Sequence, residues 1–118
     1  FGIKDGFEAV HSVSPKSSEI YLVGGGSKSS FWANLITSTL NQPILIGQDA
    51  ELGPALGVAR LAMLATKDYK TEDVIKSMKI LKKCDISEKL SARLHKRYKN
   101  WKKIADTNEL IAKSLMEE

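Results

Sequence analysis

Residues 19–29 read Glu19-Ile20-Tyr21-Leu22-Val23-Gly24-Gly25-Gly26-Ser27-Lys28-Ser29. A short β-rich run enters three glycines, and its length and composition predict a buried strand over 19–23. On the far side Trp32, Leu35, Ile36 and Leu40 share one face at helical spacing. A helix is therefore predicted over Ser29–Leu40, stopped by Asn41-Gln42-Pro43. The glycines thus turn a strand into a helix. Such a turn aims free backbone N–H groups and a positive helix end at one point. Glycine lets a ligand approach the backbone with no Cβ in the way. That combination suits a phosphate. The same residues also suit a plain tight turn with Ser29 as its helix cap, and both readings stand at this point.

The pattern extends outward on both sides. Ile3, Phe7 and Val10 recur at helical spacing ahead of a loop over 12–18 that holds Pro15 and four serines. Ile44-Leu45-Ile46-Gly47 reads as a second strand, 48–53 as a loop, and Pro54 as the first residue of a helix over 54–65. That helix is apolar on nearly every side, which predicts burial. Beyond it, Thr71 is expected to cap a helix running to Lys82. Asp85 with Glu88 resembles a capping pair ahead of Leu90, Leu94, Tyr98, Trp101 and Ala105. Asp106 with Glu109 is expected to restart a last helix carrying Leu110, Ile111 and Leu115. Strands alternating with helices predict an α/β fold of parallel strands with flanking helices, followed by a helical tail. Two parallel strands alone are marginal, so part of the sheet is expected outside the chain.

Composition bounds the function. The chain has 118 residues, 42% of them apolar and 27% charged, enough for one small domain. No apolar run approaches the roughly 18 residues of a membrane span; the stretch 52–66 contains Arg60 and two glycines. The first residues carry Lys4, Asp5 and Glu8 and no initiator Met, so they are no signal peptide, and a piece of a larger protein is expected. One cysteine, Cys84, excludes an internal disulfide framework and a cysteine-rich zinc site, and a reducing cytoplasm is the expected compartment. The net charge of +4 is uneven: residues 1–66 hold four basic and five acidic side chains, residues 67–118 fourteen and nine. This predicts a glycine-rich functional core over 1–66 and a lysine-rich helical tail over 67–118.

Known phosphate motifs fit poorly. A P-loop would need glycine at Leu22 and at Ser27. The dinucleotide fingerprint G-x-G-x-x-G fits Gly24 and Gly26 but meets Ser29 at its third place, although Asp49 follows the second strand. A dinucleotide-binding half-domain is therefore an alternative.

Two phrases together carry a resemblance. Val23-Gly-Gly-Gly-Ser-Lys-Ser with Trp32, and Glu51-Leu-Gly-Pro-Ala-Leu-Gly-Val-Ala-Arg-Leu-Ala, resemble the C-terminal domain of FGGY-family carbohydrate kinases. Within the family the second phrase looks most like that of xylulose kinases. The likeness covers residues 1–66; the tail is similar only in length and helical character. It implies part of an actin-like (ribonuclease-H-like) ATPase lobe that binds ATP. It also implies transfer of the γ-phosphoryl group to a sugar hydroxyl, D-xylulose first, with gluconate, glycerol or a related polyol as alternatives. Mg²⁺, bridging phosphate oxygens, is implied with it. The sugar site and the catalytic aspartate are implied in an N-terminal lobe outside this chain, so no catalytic or metal-ligating residue is expected here. ATP or ADP and the sugar are the implied partners, and a homodimer is left open.

The resemblance places the nucleotide on Gly25 and Gly26 and, where relatives often carry Asn, on Ser30. Gly24, Ser27, Lys28 and Glu51 complete the candidate set. Lys28 suits a phosphate contact or solvent; Glu51 suits ribose, the orientation of the glycine turn, or solvent. Trp32 is expected in the core, Arg60 in a structural pair, and His11 and His95 at the surface. Arg93, Lys96, Arg97, Lys99, Lys102 and Lys103 surround Tyr98 and Trp101. Because the aromatics share a stripe with Leu94, they are expected to face inward, and neither nucleic acid nor membrane is expected as a partner.

Overall fold

The computed structural model describes residues 1–13, 19–66 and 68–116. Helix α1 spans Gly2–Val13, so Ser12 and Val13 close a helix rather than open a loop; the rest of that expected loop, 14–18, lies outside the described residues. Helix α2 spans Ser30–Leu40, strand β1 Ile44–Gly47, helix α3 Gly53–Ala65, helix α4 Thr71–Val74, strand β2 Ile80–Cys84 and helix α5 Glu88–Met116. Short 3₁₀ turns at Gly25–Lys28 and Ala50–Leu52 precede α2 and α3.

Local chemistry sets the ends of α2. Ser29 is its N-cap and accepts the Trp32 N–H at 3.2 Å. Asn41 ends it in the left-handed region at φ 57°, with its N–H returned to the Thr37 carbonyl. The Asn41 side chain then accepts from Ser91 Oγ at 3.0 Å, which ties α5 to the end of α2.

The core forms around α2 and β1. Ala33, Ile36, Leu40, Ile44 and Cys84 are its buried centre, with Phe7, Ile20, Leu22 and Ile46 packed against them. Helix α1 adds a buried lysine. Lys4 Nζ donates to the Thr39 carbonyl at 3.1 Å, lies 3.6 Å from Glu8 and sits 5.1 Å from the centre of the Tyr98 ring. A buried ammonium needs such partners to offset lost hydration.

Four expectations change. The ladder of the sheet is antiparallel, not parallel: Ile44 pairs with Cys84, Leu45 with Lys83, Ile46 with Lys82 and Gly47 with Ile80, with a bulge near Gly47. Among the described residues parallel pairing is limited to one bridge, Tyr21 with Leu45, so residues 19–23 do not form a full strand. The helix expected from Thr71 to Lys82 ends at Val74, and Ile80–Cys84 is a strand. Hydrogen bonding to β1 overrides the local helical spacing there. The tail has no break at Asp106, because α5 runs unbroken for 29 residues, about 44 Å.

The expected burial of α3 is also overturned. None of its residues is buried, and Val58 and Leu61 are 67% and 68% exposed. The radius of gyration is 18.4 Å, against about 13–14 Å for a compact chain of this length. Apolar composition makes a helix ready for burial, but only a packed neighbour buries it.

Candidate functional site

The backbone at Ile20–Leu22 runs alongside β1, with Leu22 N–H on the Leu45 carbonyl at 2.9 Å and Leu45 N–H on that of Ile20 at 2.8 Å. The chain then bends at Gly24, whose φ of 87° and ψ of 179° are open almost only to glycine. Gly24 N–H donates to the Ala50 carbonyl at 2.7 Å, which fastens the glycine turn to the loop after β1.

Inside the turn, Ser27 N–H and Ser27 Oγ both reach the Gly24 carbonyl, at 3.0 and 2.7 Å. Ser27 is buried by this and its hydroxyl is committed to the turn. Gly25 and Gly26 differ. They open the 3₁₀ turn, so their N–H groups lack a partner within it. Both residues are exposed, and no carbonyl among the described residues accepts from them. Nothing lies within 4 Å of where a Gly25 Cβ would be. The turn therefore presents two adjacent exposed donors, Gly25 to open space and Gly26 beside the Trp32 indole.

Four side chains lie on or beside the turn: Trp32, Lys28, Glu51 and Ser30. Trp32, expected in the core, is 40% exposed and lies against Gly26: a Cβ there would be 3.0 Å from Trp32 Cδ1. Lys28 Nζ lies 3.2 Å from Glu51 Oε1 across the two loops. The Glu51 backbone N–H and the Lys28 ammonium hold the Glu51 carboxyl below the usual carboxylate range. Ser30, at the first turn of α2, accepts a hydrogen bond from Lys82 Nζ at 3.3 Å. Lys82 was hidden from sequence reasoning because its segment carries a helical period; its place on β2 is what brings it to Ser30.

The close approach of α3 also has a local cause. A Cβ at Gly53 would meet Val23 Cβ at 3.2 Å, so a small residue is needed where α3 starts beside the turn. Asp49 sits at φ 56° and its side chain caps nothing. Arg60 lines a cleft with Asp49, Ser77 and Lys79 and makes no ion pair among the described residues, contrary to the structural pair expected for it. His11 lies on Phe7, with ring centres 4.0 Å apart, and Cys84 is a buried free thiol. Tyr98 is buried and Trp101 half-buried, both against Phe1, which precedes α1, with Arg93, Lys96, Arg97, Lys99 and Lys103 exposed around them. Among the described residues no three His, Cys, Asp or Glu side chains converge to hold a metal ion, and no helix is long and apolar enough to cross a membrane.

Residues 1–66, which contain the glycine turn and α3, match the model of the C-terminal domain of the FGGY family of carbohydrate kinases. The chain belongs to this family. Among FGGY relatives, the xylulose kinase of Escherichia coli (strain K12) is 32% identical over 71 residues, 60% of this chain and 15% of that protein. The xylulose kinase of Haemophilus influenzae is 36% identical over 72 residues, 61% of this chain and 14% of that one. The crystal structure of a xyloylose kinase from Brucella ovis superposes with a TM-score of 0.74, covering 93% of this chain and 23% of that chain at 23% identity. That likeness shows the fold, and it extends through β2 and α5 beyond the family match. The chain spans about a seventh of the length of the curated FGGY relatives it matches (14–15%).

Proposed function

We propose that this chain forms the nucleotide-holding part of an actin-like ATPase lobe in a sugar kinase. The intact protein would transfer the γ-phosphoryl group of ATP to a sugar hydroxyl. The observation that carries the reading is the family match over 1–66, which takes in the turn whose Gly25 and Gly26 donors are free. Gly24 sets the shape of that turn, and Ser27 locks it from within. Gly25 and Gly26 would donate to phosphate oxygens, Ser30 and Trp32 would border the nucleoside, and Lys28 with Glu51 would set the local charge.

Phosphoryl transfer depends on positioning and charge stabilisation more than on covalent chemistry by the protein. In this reading the chain binds and orients; it excludes no water by itself and supplies no general base. The base and the sugar contacts would come from the rest of the protein. Mg²⁺ is assigned no ligand from this chain, and no step is derived through it. The names of the relatives favour D-xylulose, with gluconate and glycerol as the polyols to compare. A cytoplasmic setting suits the buried free thiol of Cys84. The family match over 1–66 favours the kinase reading over the dinucleotide alternative.

The test is ADP release by the intact protein with MgATP and D-xylulose, gluconate or glycerol. Sugar-dependent turnover is expected, greatest with D-xylulose. Turnover with none of these sugars or sugar acids would sink the kinase reading, and preference for another polyol would sink only the substrate.

A further inference from the structure

Glu51 raises a question that the nucleotide reading does not answer. Its carboxylate stands beside a turn proposed to receive phosphate, fastened there through the Gly24 N–H bond to the neighbouring Ala50 carbonyl. An ionised carboxylate at such a place repels an incoming polyphosphate. Among the described residues the structure supplies one counter-charge. Lys28 reaches out of the turn and places its ammonium 3.2 Å from Glu51 Oε1. Lys28 is exposed at 68% and Glu51 half-buried at 34%, so the solvent-screened pair adds little to folding. Its effect is on the field at the turn.

We infer, resting on the nucleotide reading above, that Lys28 acts as a counter-charge that neutralises Glu51 beside the glycine turn, and not as a phosphate ligand. Lys28 is then a positioning residue whose worth depends on Glu51. Removing the lysine alone leaves the carboxylate facing the phosphates. Removing both charges restores the balance and leaves the Gly25 and Gly26 donors to bind.

The two roles separate in a double-mutant cycle read by calorimetric titration of MgADP into the intact protein, with circular dichroism as the folding check. Lys28→Met is expected to weaken binding about tenfold, while Lys28→Met/Glu51→Gln returns to within about threefold of the parent. Glu51→Gln alone is expected to bind no more weakly than the parent, and it carries the test if either lysine variant fails to fold. A double variant as weak as Lys28→Met would overturn the inference in favour of direct phosphate contact. So would a loss of affinity in Glu51→Gln. If the parent itself shows no saturable MgADP binding, the nucleotide reading falls first and this inference falls with it.

Discussion

Gly26 and Trp32 are in mutual contact: a Cβ on the glycine would lie 3.0 Å from Cδ1 and 3.3 Å from Nε1 of the indole. The glycine therefore serves two ends. Its N–H opens the 3₁₀ turn without a partner there, and its lack of a Cβ leaves room for an aromatic wall beside that N–H. Gly26→Ala should push the indole outward by a few tenths of an ångström while leaving the fold intact. A shift in Trp fluorescence is expected with an unfolding free energy within about 1 kcal/mol of the parent. An unchanged spectrum in a folded variant would show that the two residues do not constrain each other.

Gly24 is a matter of backbone rather than space. Nothing lies within 4 Å of a Cβ placed there, yet its φ is 87°. Gly24→Ala should cost about 1–3 kcal/mol through strain alone. Urea unfolding of the variant measures this directly. A loss below about 0.5 kcal/mol would mean that the turn relaxes to another conformation.

Tyr98 joins α5 to α1. Its single hydroxyl proton is shared between two carboxylates, Glu8 Oε2 at 2.8 Å and Asp5 Oδ1 at 3.2 Å, from a buried ring. Burial first, then the bonds to Glu8 and Asp5, push its pKa well above the ordinary value of 10.0. The neutral phenol is thus favoured by folding. Its contribution is full below pH 10 and is lost as pH rises from there toward the raised value. Tyr98→Phe should cost about 1 kcal/mol at neutral pH. It should also lose stability less steeply than the parent above pH 10. Parallel alkaline unfolding curves would contradict the second expectation.

Asp5 behaves in the opposite sense. The Lys102 ammonium, 2.9 Å away, and the Tyr98 hydroxyl hold its carboxyl below 3.8 despite some opposing desolvation. Its contribution is present above pH 3.8 and declines as pH falls below that value. Asp5→Asn should flatten the acid limb of the stability profile, measured by thermal melting between pH 5 and 2. A limb of unchanged steepness would exclude Asp5 as a source of acid sensitivity.

The exposed apolar face of α3 predicts behaviour in solution. Val58 and Leu61 stand largely clear of the rest of the chain, and contiguous apolar surface promotes association. The 118-residue chain should self-associate in sedimentation, and Val58→Glu with Leu61→Glu should shift it toward monomer. Because both side chains are mostly exposed, the unfolding free energy should move by less than about 0.5 kcal/mol. A larger loss would place these residues in a buried contact.

Much of the first half was legible from local signals. Ser29 and Asn41 bracket α2 because a hydroxyl can cap and an asparagine tolerates the left-handed region. Pro54 lies within the first turn of α3, and Ile44–Gly47 is a strand as its β-rich run predicts. The glycine turn was visible as a change from strand to helix. The second half misled for physical reasons. Val74, Ile75, Met78 and Leu81 repeat at a helical period, but the ladder with Ile44–Gly47 turns Ile80–Cys84 into a strand. Asp106 reads as a helix start, yet in mid-helix it simply pairs with Lys102 at 3.0 Å, and α5 continues past it.

The sequence by itself determined the caps, the turn glycines and the apolar faces, because each depends on neighbours within a few residues. Only the tertiary structure decided which strand pairs with β1 and in which direction. It also decided that α3 stays exposed in this chain, that Lys82 reaches Ser30, and that Lys28 reaches Glu51. Each of these relations joins residues far apart or on separate loops. Their energy exists only once the chain has closed on itself, and no local period or propensity records it.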